Sequence, residues 1–203
     1  MCNIFVKAAS PNDCDTAAKL TFMAYHKYSY DIFGQVGEAG ALDYYKKLWL
    51  HGRNRFSHHY SYIAQSDDNS QPVALMTCYP APLISKLTNP TIYQLICIRK
   101  FSFFLHLITH LNNFYYFAKG TEIDPAEFYI ATLSVLPEYR RQGIGAKMLR
   151  YARHLAREQG YKRCVLHVSA ENESGIRFYE KNGFTKSPLT EKQTAYFKMV
   201  YSV

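Results

Sequence analysis

Two glycines, Gly143 and Gly145, close a segment that reads V-L-P-E-Y-R-R-Q-G-I-G from Val135. Residues 128–135 ahead of it are rich in β-branched and aromatic types, and Pro137 cannot donate to a sheet ladder, so a strand is predicted to stop there. Behind it Ile144, Met148, Leu149, Ala152, Leu155 and Ala156 recur at helical spacing, and Gly160 suits the helix end. That pattern predicts a helix of about 16 residues, roughly 24 Å long. Glycines at its start leave N–H groups of the first turn without cover or acceptor, which is anion-binding chemistry. Each hydrogen bond to a charged group contributes roughly 1.5–3 kcal/mol against roughly 0.3–1 for the helix dipole, so converging N–H groups dominate. A phosphate or pyrophosphate is the expected ligand. Two other phosphate loops are excluded by spacing: no G-x-x-x-x-G-K-[ST] is present, and Gly143-Ile144-Gly145 lacks the third glycine of G-x-G-x-x-G.

The run Arg140, Arg141, Gln142, Gly143, Ile144, Gly145 after a strand resembles the [RQ]-x-x-G-x-[GA] signature of the GNAT superfamily of acetyl-CoA-dependent N-acetyltransferases. Its flanks match too, V-x-P-x-Y before and a basic amphipathic helix after. Downstream, residues 171–184 (E-N-E-S-G-I-R-F-Y-E-K-N-G-F) resemble the family element N-x-x-A-[IR]-x-F-Y-E-K-x-G-F. Two matches at this separation make the resemblance specific. It implies an α/β (α+β) fold with a mixed, mostly antiparallel central sheet flanked by helices, in one domain spanning residues 1–203. Residues 83–120 depart from a minimal member and are read as a helical insertion before the central cofactor-binding strand.

The resemblance also implies roles. Leu133, Ser134 and Val135 belong to the cofactor-binding strand, with backbone groups of Leu133 and Val135 paired to the pantetheine arm of acetyl-CoA. Arg141, Gln142, Gly143, Ile144, Gly145 and Ala146 cradle the pyrophosphate, and Arg140 adds charge-assisted bonds. Asn172 is a helix N-cap and a pantetheine contact. Tyr179 matches the tyrosine that serves as general acid at the cofactor sulfur. Gly175 stands where alanine is usual, which weakens that helix by roughly 1 kcal/mol.

The base is less settled. An alkylamine with pKa near 10.4 is neutral in about one molecule in 2,500 at pH 7, equivalent to roughly 4.6 kcal/mol. Many members place a glutamate on the strand where this chain has Tyr129, here read as a wall of the acceptor site. Glu127 and Glu122 are candidate bases acting through water, against a reading of each as surface glutamate. Tyr28 is the other expected substrate contact, within a set (Tyr25, His26, Tyr28, Tyr30, Tyr45) that also reads as aromatic core and rim. The expected reaction is direct attack of a primary amine on acetyl-CoA, with the acceptor open among small molecules, peptides and proteins. The alternative is a non-catalytic acyl-CoA-binding or regulatory module that kept the fold.

The rest of the chain sets bounds. At 203 residues, 48% hydrophobic and 20% charged, it fits one globular domain. Its net charge of +8 is dispersed, so a phosphate-rich cosubstrate is expected and specific nucleic-acid binding is not. Five separated cysteines and a first stretch without signal-peptide features are read as a cytoplasmic protein. No histidine group has metal-site spacing with acidic companions, so no metal is expected. Residues 101–118 carry no formal charge, but His106, His110, Asn112 and Asn113 oppose a membrane span. A homodimer is compatible with this surface. The remaining pattern predicts strands at 3–9, 60–65, 72–79, 164–168 and 194–201, and helices from residue 14 to about 30 and from 38 to about 50.

Overall fold

Alternating apolar runs become strands and the amphipathic runs become helices in a computed structural model that describes residues 4–34, 36–67, 69–99, 123–187 and 195–203. In chain order the elements are β1 (Ile4–Ala8), α1 (Cys14–Tyr25), α2 (Lys27–Phe33), α3 (Gly37–Leu50), β2 (Ser61–Ser66), β3 (Asn69–Pro80) and α4 (Pro82–Arg99). There follow β4 (Glu127–Val135), α5 (Ile144–Glu158), β5 (Arg163–Ser169), α6 (Glu173–Lys181), β6 (Thr185–Lys186) and β7 (Tyr196–Ser202). The strands form one sheet in the order β1-β2-β3-β4-β5-β7-β6, antiparallel except where β4 lies beside β5. This is the mixed, mostly antiparallel sheet flanked by helices that the sequence implies.

Three local readings change. The first predicted helix is two, because His26 takes φ +36°, a conformation that breaks the α1 ladder before α2 starts. The β2–β3 hairpin is tighter than its polar run suggests, with Ser66 opposite Asn69. Pro72 sits opposite Gln65 where the register slips, a place that tolerates a missing N–H. Thr185 and Lys186, outside the predicted strands, pair with β7 as a short edge strand. The insertion opens as the helix α4; its continuation over residues 100–120, and Glu122, lie outside the described residues. Among the described residues, no helix is long and apolar enough to cross a membrane.

Helix α5 buries Ile144, Met148, Leu149, Ala152 and Ala156 against Phe128, Ile130, Cys164 and Leu166 on one face of the sheet. Each such large side chain favours folding by roughly 1.5–3 kcal/mol. The opposite face is covered by α1 and α3, where Ala17, Leu20 and Trp49 meet Ile63 and Leu75, and by α4, where Ile84 and Leu87 back Tyr79 and Tyr129.

One irregularity in β4 matters most for the site. Cys78 of β3 faces Ile130 but its neighbour Thr77 faces Thr132, so Ala131 is an extra residue, a β-bulge. Bulges bend the strand that carries them. Consistent with that, β4 pairs with β5 only from Glu127↔Arg163 to Ile130↔Leu166, whereas β5 continues beside β7 to Ser169↔Tyr196. Beyond Leu166 the two central strands part.

Candidate active site

The parting leaves residues 131–135 of β4 with no strand on their β5 side among the described residues. Leu136 N–H bonds back to Val73 of β3 at 3.0 Å, so by strand alternation Val135 and Leu133 direct their N–H and C=O groups toward the open side. Ser134 points its backbone at β3; its side chain is buried, 8% exposed, opposite Leu75 on the face covered by α1 and α3. The open edge is therefore a ready partner for an extended, amide-bearing chain. One competitor is present: Arg140 Nε donates to the Val135 carbonyl at 3.1 Å, so this guanidinium is directed at the strand end as well as at the loop.

Past the strand end the loop forms an anion cradle. Arg141 (φ +63°) and Gly143 (φ +78°) both take left-handed backbone, alternating with Gln142 so that successive N–H groups converge. Gln142 Nε2 donates to the Glu138 carbonyl at 3.2 Å, which closes the turn from below. Gly143 is the N-cap of α5 and supplies no side-chain cap; the helix ladder starts with Lys147 N–H to Gly143 C=O at 3.0 Å. The N–H groups of Ile144, Gly145 and Ala146 consequently have no helix acceptor. The two glycines serve different ends. A Cβ on Gly143 would meet nothing within 4 Å, whereas one on Gly145 would lie 2.9 Å from Cζ of Phe178, so Gly145 lets α5 and α6 approach. An unfilled space over uncapped N–H groups fits a pyrophosphate.

Helix α6 starts at Asn172, whose Oδ1 accepts from Gly175 N–H at 2.9 Å and from Ser174 Oγ at 3.1 Å. Gly175 has a reason for being glycine that sequence reasoning missed. A Cβ there would stand 2.6 Å from Nδ2 of Asn172 and push the cap away. Gly175→Ala is therefore expected to return about 1 kcal/mol of helix propensity and lose about 1 kcal/mol of capping, leaving the thermal midpoint nearly unchanged. A calorimetric scan showing a rise of several degrees would contradict that balance.

Tyr179 lies on α6, partly buried on the main core, its ring 5.3 Å from that of Phe178 and 6.0 Å from that of Phe184. Burial pushes its phenol up to about 12, and its charge state is felt by Tyr129 across the split. Tyr129 is 8% exposed, opposite Tyr79 on β3 with ring centroids 6.0 Å apart, and burial raises its phenol above the ordinary range. It forms a wall. Tyr25 of α1 closes the bulge, donating to the Ala131 carbonyl at 3.4 Å and accepting from Thr132 Oγ1 at 3.4 Å. Behind these rings sits Arg55, fixed by its backbone N–H to Thr91 Oγ1 at 3.0 Å; burial opposes its charge, but the phenols of Tyr79, Tyr129 and Tyr25 outweigh burial and raise its pKa. Tyr28 of α2 stacks against Tyr196 of β7 at 5.4 Å, which brings α2 to the β5–β7 side of the sheet. Tyr45, by contrast, is core, 1% exposed and bonded to Ser29 at 3.0 Å.

Glu127 is not a surface glutamate. It is 1% exposed, ion-paired with Lys198 at 2.8 Å and Arg163 at 3.7 Å, and accepts from Asp124 N–H at 2.9 Å. It stands at the fully paired end of β4, about 13 Å along the strand from the bulge.

His167 is the functional candidate that sequence reasoning missed. It follows Leu166, the last β5 residue paired with β4, and its ring lies 5.8 Å from that of Tyr129. Burial first, then the charge of Lys198, pulls its imidazole down to about 4, so it is neutral and can accept a proton at pH 7. The usable signal was its parity with Val165 in a strand parallel to β4, which only the register reveals. Among the described residues no group of three or more His, Cys, Asp or Glu could hold a metal.

Comparison with known proteins agrees with this geometry. The chain is 41% identical over 73 residues to N-alpha-acetyltransferase 50 of Danio rerio, covering 36% of this chain and 42% of that protein, so the match spans less than half of the relative. The fold is similar to an N-acetyltransferase from Staphylococcus aureus Mu50, TM-score 0.67 at 17% identity over 97% of this chain and 99% of the other. It is also similar to the PaiA N-acetyltransferase from Thermoplasma acidophilum, solved in complex with coenzyme A, TM-score 0.56 at 16% identity over 99% of both chains. The sequence profile of the Acetyltransferase (GNAT) family matches residues 30–184, the stretch that holds the split strands, the glycine cradle and Tyr179, and the chain belongs to that family.

Proposed function

We propose that the chain transfers the acetyl group of acetyl-CoA to a primary amine by direct attack, with the α-amine of a peptide or protein N-terminus as acceptor. The observation that carries it is the parting of β4 from β5 beyond Ile130 and Leu166, which opens one strand edge between an anion cradle and a pair of proton-handling groups. Acetyl-CoA supplies the activated acetyl thioester. Leu133 and Val135 offer backbone bonds to its amide-bearing arm, residues 141–146 take the pyrophosphate, Arg140 adds charge, and Asn172 has Nδ2 left for an amide carbonyl.

The proton steps follow from two environments. As the amine nitrogen bonds to carbon it must lose a proton, and neutral His167 takes it, directly or through one water. Glu127 is a poor alternative because Lys198 and Arg163 hold its carboxylate. Tyr179 would serve the leaving sulfur once acetyl-CoA is bound. A phenol at about 12 would have to give its proton uphill to a thiolate near 8.5, at a cost of roughly 5 kcal/mol, so its main contribution is a hydrogen bond to the developing charge.

Amine basicity favours the α-amine class. A peptide α-ammonium near 7.8 is neutral in about one molecule in seven at pH 7, a cost of about 1.2 kcal/mol against roughly 4.6 for a lysine side chain. His167 receives its proton only as the N–C bond forms, so the acceptor with the larger neutral fraction at pH 7 is favoured. The N-alpha-acetyltransferase named above acts in the same sense. The test is turnover of acetyl-CoA with peptides bearing a free α-amine, the same peptides N-blocked but containing lysine, and small diamines. Free α-amine peptides are expected to react at least about tenfold faster. CoA binding without turnover of any amine would favour the non-catalytic module.

A further inference from the structure

Resting on the reading of residues 133–135 as the edge that takes the pantetheine arm, we infer that Arg140 decides which pantetheine thioesters this edge admits. It occupies the Val135 carbonyl until a phosphate draws it away, so an arm that carries no phosphate is disfavoured.

The placement begins with a turn. Pro137–Tyr139 form one 3-10 turn, closed by Tyr139 N–H to Leu136 C=O at 3.0 Å and by Arg140 N–H to Pro137 C=O at 3.2 Å. It doubles the chain back and sets residue 140 beside residue 135. Leu136 N–H is spent on Val73 at 3.0 Å, so the Val135 carbonyl faces away from β3, onto the side where β5 has parted. Arg140 Nε donates to that oxygen at 3.1 Å. An extended chain added to the edge has to bring its own N–H to the same oxygen, and the guanidinium stands in its path.

Two acceptors therefore compete for one side chain. Arg140 is exposed, and among the described residues its terminal nitrogens meet no carboxylate, so it is tethered at Nε alone. It stands directly before the loop whose N–H groups at 144–146 have no helix acceptor, within reach of an anion held there. A phosphate is the stronger acceptor, because its bonds to a guanidinium are charge-assisted and come in pairs. Binding of the anionic end takes the arginine off Val135 and leaves the carbonyl to the arm. The two halves of the ligand then bind with positive coupling, although they touch different parts of the site. A neutral pantetheine thioester has nothing with which to move the arginine and meets an edge already bonded.

The test is an NMR titration of the full chain with neutral pantetheine, with 3′-phospho-ADP and with CoA, followed at the Val135 and Leu136 amides that adjoin the contested carbonyl. The wild type is expected to bind pantetheine about fivefold more tightly when 3′-phospho-ADP is saturating, the scale of one exposed hydrogen bond. Arg140→Met is expected to bind pantetheine alone about fivefold more tightly than the wild type, to lose the effect of 3′-phospho-ADP on that affinity, and to bind 3′-phospho-ADP about tenfold more weakly. Arg140→Ala, whose side chain reaches neither place, should do the same, and the exposed position lets both variants fold. A residue that served only as a phosphate contact would weaken 3′-phospho-ADP and leave pantetheine affinity unchanged in the variants. That result overturns the inference, as does a wild type whose pantetheine affinity ignores 3′-phospho-ADP. The underlying reading fails separately. CoA that binds without moving the Val135 and Leu136 signals would place the arm away from this edge, whereas CoA that moves them while pantetheine binds all three proteins alike refutes the role of Arg140 alone.

Discussion

Gly143→Val is expected to raise the dissociation constant for CoA by about 100-fold or more while the chain stays folded. Two to three N–H groups meet the phosphate at this turn, each bond to charge contributing roughly 1.5–3 kcal/mol, and 100-fold corresponds to about 2.7 kcal/mol. The substitution acts twice. It places a branched side chain in the open space over uncapped N–H groups, and it asks a β-branched residue to hold φ +78°, which disfavours the cradle geometry by about 1–2 kcal/mol. Because no atom stands within 4 Å of the new Cβ, the core behind the loop is untouched. Calorimetric titration with CoA beside a circular-dichroism melt measures both halves. Unchanged affinity in a folded variant would remove the helix terminus from the binding site.

Tyr179→Phe is expected to lower kcat by about 10²-fold or more with little change in KM for acetyl-CoA. The ring keeps its packing on Phe178 and Phe184, and only the hydroxyl is lost. Removing one positioned donor from a developing anion has that scale of effect. The pH profile supplies a further check. Burial holds the phenol at about 12, so Tyr179 remains protonated and no alkaline fall in kcat should arise from it below about pH 11. The donor role predicts loss of rate at every pH. Pre-steady-state acetyl transfer at wild-type speed would reduce Tyr179 to a packing residue.

What could be read from sequence was what the chain specifies locally. Pro137 ends a strand, the glycines at 143 and 145 mark a turn into a helix, and Asn172 caps a helix wherever the rest of the molecule lies. What could not be read depends on partners distant in sequence. Glu127 was indistinguishable from an exposed glutamate until Lys198, on the last strand, came to 2.8 Å. His167 carries no motif of its own and acquires meaning from the register that sets it at the split. Sorting of the tyrosines is likewise tertiary: Tyr45 and Tyr25 lie on consecutive major helices, yet one fills the core and the other reaches the bulge carbonyl. Gly175 shows a local rule outvoted, since helix propensity asks for alanine and the neighbouring cap does not leave it room.

A pleated strand turns its side chains over at every residue, so the extra residue at Ala131 reverses the sense of everything beyond it. Before it Phe128 and Ile130 face α5; after it Leu133 and Val135 do, an odd spacing that no regular strand could give. The strand is therefore sensitive to its length more than to its letters. Many substitutions along β4 would leave the opening in place, but loss of the extra residue would restore even alternation with Leu133 and Val135 still facing α5, remove the bend, and let two straight strands zip shut over the gap. The cleft exists as a miscount of one between neighbouring strands, so its opening depends on how many residues β4 has between Ile130 and Leu133 and not on which side chains line it.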